Sequence, residues 1–152
     1  MSSARTAFSM IELIFVIVVL GLLAAVALPK ITATRDDAMA SKVALNVMTA
    51  AGEIASYAMS NGETVNDMIE MSNAIASLDG DGTATLDNAN KKATVKFGTV
   101  ADCVVLKVNS GATDENLTVS FGATNGDSKC ENLQALIDAK KYPMQLRGQL
   151  VK

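Results

Sequence analysis

Between Phe8 and Leu28 the chain runs for 21 residues with a single charge, Glu12, and this stretch limits the fold more than any other feature. Wound as a helix it is about 31 Å long, close to the hydrocarbon thickness of a bilayer. A helix that is apolar on every side has no face for water, so lipid or other apolar helices must cover it. Arg5 stands before it. Lys30 and Arg35 follow, then Asp36 and Asp37. The short leader is expected to stay cytoplasmic, although flanking charge is balanced and orients the span only weakly.

Three arrangements accommodate such a segment. A cleaved secretory signal would use Ala25-Val26-Ala27 as its small-x-small site. Glu12 inside the apolar run, the length of that run and Pro29 just past the cut all speak against it. A plain membrane anchor explains the length but leaves a carboxylate near the start of an apolar helix, where an unpaired charge costs several kcal/mol. The third arrangement gives the glutamate a purpose.

Ala7-Phe8-Ser9-Met10-Ile11-Glu12-Leu13-Ile14, then an unbroken apolar run containing Gly21 and closed by Pro29, resembles the N-terminal signal of type IV pilins and type II secretion pseudopilins. That pattern is a short basic leader, a small residue at the cut, Phe, and Glu four residues on. Ala7 departs from it, because glycine is usual before the cut, and Arg5 alone makes the leader weakly basic. The likeness spans about residues 5 to 30. It implies cleavage by a prepilin peptidase between Ala7 and Phe8, N-methylation of Phe8, and self-association into a helical filament on an inner-membrane assembly platform. The implied location is a bacterial inner membrane, single-pass in lipid with the head in the periplasm, and later a pseudopilus or surface filament. It also implies a structural subunit, not an enzyme.

On this reading Phe8 and Glu12 are the assembly residues. The amine freed at Phe8 is one helical turn from Glu12. In a filament the amine of one copy can meet Glu12 of its neighbour, so that two charges costly alone become tolerable as a pair and favour one axial register. Pro29 lacks an N–H and clashes with the carbonyl of Ala25, which kinks or locally breaks a helix. Gly21 loosens it further. The Gly21–Pro29 stretch is the expected site of kinking or melting.

Beyond Pro29, Val43, Val47, Ala51, Ile54, Ala55 and Ala58 recur at spacings of three and four, with Lys42, Asn46 and Glu53 off the stripe. Asn61-Gly62 supplies a stop. Residues 8 to 60 therefore read as one near-continuous helix. Thr64 and Asp67 form a capping pair for a second short helix through Met68, Ile69, Ile75 and Leu78. Asp79-Gly80-Asp81-Gly82 is a turn cluster. Strands are expected at about 93–97, 102–108 and 117–122, with a weaker one at 83–87. Ser128 with Glu131 forms a capping box for a last helix ended by Tyr142-Pro143. The expected fold is α+β, a long N-terminal helix on a small antiparallel sheet. The divisions are 1–7 leader, 8–28 transmembrane and assembly helix, 29–61 amphipathic continuation, and 62–152 head.

Composition narrows the chemistry. The chain has no His, so it lacks the commonest general base and metal ligand. Aromatic residues are only 4%, too few for an aromatic-lined ligand pocket. Net charge is -3 with no clustered basic run, so no nucleic-acid partner is expected. Cys103 and Cys130 fit no zinc spacing. They pair if the head lies outside the cytoplasm, or remain buried free thiols if it does not. Asp79, Asp81, Thr83 and Asp87 offer alternating oxygens as a candidate calcium loop, yet the glycine is misplaced and position twelve is Asn90. Asp114, Glu115 and Asp127 are a second acidic group. Ser41-Lys42 is no dyad, because adjacent helical residues point about 100° apart. The rival to a polymerising subunit is a single-pass, membrane-anchored periplasmic binding module.

Overall fold

The computed structural model describes residues 9–111 and 114–147, with backbone alone for 28–33. The element order is α1 (Met10–Asn61), α2 (Met68–Met71), α3 (Asn73–Gly80), β1 (Ala84–Asp87), β2 (Lys92–Phe97), β3 (Val100–Ser110), β4 (Glu115–Phe121), α4 (Ser128–Leu136) and β5 (Met144–Arg147). The five strands form one antiparallel sheet in sequence order. The class is α+β. The chain divides into two units at Asp36, and each is taken by itself.

The first unit is the apolar start of α1. Met10–Ala27 is long and apolar enough to cross a membrane, and none of it is buried within the chain. Helix α1 continues through Gly21 and Pro29 as one helical element.

The second unit is built on the other half of α1. Val43, Val47, Ala51, Ile54, Ala55 and Ala58 are all buried, joined by Ala40, Ala44 and Ala50. The helix periodicity therefore chose the core face correctly, and the alanines keep that face low. The same core holds Met68, Ile75 and Leu78 from α2 and α3. From the sheet it takes Ala93, Val95, Val104, Leu106, Val108 and Leu117. Gly62, at φ 79°, ends α1, and its N–H returns to the Ala58 carbonyl. Only a residue without a Cβ takes that conformation cheaply.

The second helix is two pieces, not one. Ser72 is extended (φ -153°, ψ 121°) and caps α3, its hydroxyl accepting from the Ile75 N–H. The hydroxyl in turn donates to Glu53 at 2.6 Å, so a contact to α1 holds the break. The cap of α2 is Asp67 alone; Thr64 is drawn elsewhere by Glu115. Likewise Asp127, not Ser128, caps α4, while Glu131 accepts from the Thr124 hydroxyl. Helix α4 ends at Leu136, ahead of Tyr142-Pro143, which leads into β5.

Strand β5 has no counterpart among the strands expected from the sequence. Met144-Gln145-Leu146-Arg147 holds no β-branched residue, and it becomes a strand only by pairing with β4. In β3 the alternation of buried residues breaks at Cys103, buried beside Val104. There the span from Val95 to Phe97 on β2 faces the longer span from Val100 to Val104 on β3, a register shift that re-aims side chains.

Candidate assembly helix and its supporting head

Every large apolar side chain from Met10 to Val26 is exposed, Met10 by 80%. Against this uncovered surface, Glu12 has a local role that the spacing argument missed. Its carboxylate accepts the Ser9 backbone N–H at 3.3 Å, and the Ser9 hydroxyl accepts the Ile11 N–H at 3.4 Å. The Leu13 and Glu12 N–H groups reach the Ser9 carbonyl. Ser9-Met-Ile-Glu12 is a capping box that satisfies the first amides of the apolar helix. A carboxylate in the first turn also lies at the positive end of the helix dipole. The S-x-x-E signal was legible in the sequence. The expected cleavage and methylation residues, Ala7 and Phe8, lie outside the described residues, as does the leader 1–7.

Cys103 and Cys130 are bonded to one another, and both are fully buried. The bridge ties the central strand β3 to the first turn of α4. Gln134 supports it, its amide donating to the Cys103 carbonyl at 2.8 Å and the Gly122 carbonyl at 3.0 Å. A few residues away, the Asp127 carboxylate takes four donors. These are the Thr99 hydroxyl at 2.6 Å, the Thr99 N–H at 2.7 Å, and the N–H groups of Lys129 and Cys130. The Thr99 bonds, then the helix amides, hold its carboxyl down at about 2. Asp127 thus latches the β2–β3 turn onto the start of α4.

At the far edge of the sheet, Glu115 is only 3% exposed. It accepts from the Thr64 hydroxyl and N–H, and Lys91 Nζ lies 3.5 Å away. Lys91 also donates to the Thr64 hydroxyl and carbonyl and to Ser110. Burial pushes the Glu115 carboxyl up, but the Thr64 and Ser110 hydrogen bonds and the Lys91 charge outweigh it, and the group sits below its usual range.

The candidate calcium residues Asp79, Asp81 and Asp87 each have a separate local role. Asp79 lies in the last turn of α3, whose end is closed by the Gly82 N–H on the Asp79 carbonyl and the Thr83 N–H on Leu78. Asp81 pairs with Lys42 at 2.8 Å. Asp87 accepts from the Asn90 side chain at 2.7 Å and its N–H at 3.3 Å, and the Asn90 amide holds its carboxyl below the usual range. Among the described residues no three acidic, Cys or His groups are arranged to hold a metal. Asp114, Glu115 and Asp127 do not form one acidic site either, since Glu115 and Asp127 serve separate networks. The Ser41 hydroxyl donates to the Asp37 carbonyl, apart from Lys42, as adjacent helical positions require.

Family models, curated proteins and solved structures were all compared with the chain, and none matches it.

Proposed function

We propose that this chain is a structural subunit that polymerises through its N-terminal helix, in the manner of type IV pilins and type II secretion pseudopilins. The observation that carries the reading is the wholly uncovered Met10–Ala27 helix with a glutamate in its first turn. Lipid can cover such a surface before assembly and identical helices can cover it afterwards. A prepilin peptidase would cut between Ala7 and Phe8, freeing an amine one turn from Glu12. The head, stapled by Cys103–Cys130, suits an oxidising compartment outside the cytoplasm. The proposed location is therefore an inner-membrane span with a periplasmic head, delivered to a filament by an assembly platform.

A second reading has its own observation. The Ser9–Glu12 capping box already satisfies Glu12 within one chain, as a static single-pass anchor would need. Mass spectrometry of the N-terminus from native membranes and sheared surface fractions separates the two. A chain starting at N-methyl-Phe8 supports the filament subunit, and a chain starting at Met1 supports the anchor. A start at Leu28 would make the protein secreted and soluble, against both. Glu12→Ala is expected to insert normally and to assemble poorly. Normal filaments from that variant would refute the register role.

A further inference from the structure

The sheet's inner face belongs to the core, but its outer face has no layer over it among the described residues. Asp87, Lys92, Lys107 and Thr118 stand in one row across β1 to β4. Directly paired residues present their side chains on the same face. Lys96 lies four residues along β2 from Lys92 and so shares that face. Lys92 and Lys107 are cross-strand neighbours of like charge, an unfavourable arrangement. Asp87 offsets part of it. Among the described residues, none of the three lysines forms a side-chain hydrogen bond or ion pair. This face carries a net positive charge on a chain whose total is -3.

The complementary surface lies on the helix layer. Gly52 and Ser56 are exposed on α1, away from the stripe that meets the sheet. With Thr49, Tyr57 and Glu70 they line an open groove of about 750 Å³ that no Lys or Arg lines. The Tyr57 hydroxyl donates to Glu70 at 3.2 Å. Glu53, which also accepts from the Ser72 hydroxyl, and Glu70 both line this groove.

We propose that the lysine row on the outer sheet face of one copy docks on the groove of a second copy that Glu53 and Glu70 line. The inference rests on the filament reading and adds to it a contact between heads. The two surfaces differ, so the contact is heterologous and repeats from copy to copy without closing on itself. Charge complementarity of this kind sets register and specificity more than affinity, which the apolar helix supplies. The paired lysines gain carboxylates beyond the one, Asp87, that their own sheet offers them.

The test uses the full chain in detergent micelles, mixing isotopically light and heavy copies. A zero-length carbodiimide joins lysines to carboxylates in contact, and mass spectrometry maps the links. Energy transfer between labelled copies reads association separately. The expected result is mixed-isotope links from Lys92 or Lys107 to Glu70 or Glu53. Association should weaken about tenfold in Lys92→Glu/Lys107→Glu and recover in part when Glu70→Lys is added. If wild-type copies associate while these lysines link only within their own chain or to other carboxylates, the head contact is wrong and the helix reading stands. The head contact is equally wrong if reversal abolishes retention on an anionic polymer and leaves assembly untouched. Wild-type copies that never associate, in micelles or in membranes, would remove both. The mapping needs only wild-type protein, so a misfolded variant does not obscure the result.

Discussion

Thr64 and Glu115, 51 residues apart, meet through two hydrogen bonds, the hydroxyl donating at 2.8 Å and the backbone N–H at 3.2 Å. The pair joins the loop after α1 to the start of β4. Lys91 closes the network from the turn before β2, where it holds φ 48°. Arg147 of β5 adds a longer contact to Glu115 at 3.9 Å, and its exposure makes that contact minor.

Glu115→Ala is expected to destabilise the head by about 3 kcal/mol, because it leaves the Lys91 charge without its carboxylate and the Thr64 hydroxyl proton without its acceptor in a mostly buried position. Thr64→Val should cost less, since Lys91 then still faces a carboxylate. Urea unfolding of the full chain in detergent checks both. Equal costs for the two would contradict a charge-centred network.

Asp127 predicts a pH dependence. Its carboxyl is held at about 2 against an ordinary value of 3.8. Its contribution is therefore complete above the unfolded value and lost as pH falls from about 4 towards 2. Glu115, also lowered, acts in the same direction from 4.5 downwards. Thermal melting from pH 6 to pH 2 should show falling stability, with the lowest part of the slope reduced in Asp127→Asn. A slope unchanged by that substitution would assign the acid sensitivity to other groups.

Gly98 sits under the same latch at φ 62°, and an added Cβ would lie 2.5 Å from the Asp127 carboxylate oxygens. Gly98→Ala must therefore strain the turn and displace Asp127 at once. The expected readout is a melting temperature lower by several degrees and faster amide exchange at Thr99 and Cys130. Gly52→Ala, inside α1 with open space around it, is the control and should raise the melting temperature slightly without speeding exchange at Thr99 or Cys130.

Opening the Cys103–Cys130 bridge frees a loop with a sequence separation of 27. Chain entropy puts the loss at about 3.5 kcal/mol. Cys103→Ser/Cys130→Ser should lower the urea midpoint accordingly, and α4 should lose amide protection first. Membrane insertion, carried by Met10–Ala27, should be unaffected.

Periodicity and composition were sufficient wherever one side chain decides one thing. The membrane-length apolar run, the buried stripe from Val43 to Ala58, the stop at Gly62 and four of the strands all follow from spacing within a single element. The capping box at Ser9–Glu12 was equally local. What the sequence left open depends on partners distant in the chain. Met144–Arg147 becomes a strand because β4 offers it an edge. Ser72 breaks a helix because Glu53 holds its hydroxyl. Thr64 leaves its expected cap because a buried carboxylate 51 residues away binds it more strongly than a helix amide exposed to water can. The acidic residues near Gly80 read as a turn cluster, and only the fold shows that Asp81 meets Lys42 and Asp87 meets Asn90. Local spacing determines which residues prefer to be buried, and tertiary structure alone decides which polar group answers which, because those pairings exist only after the chain has closed.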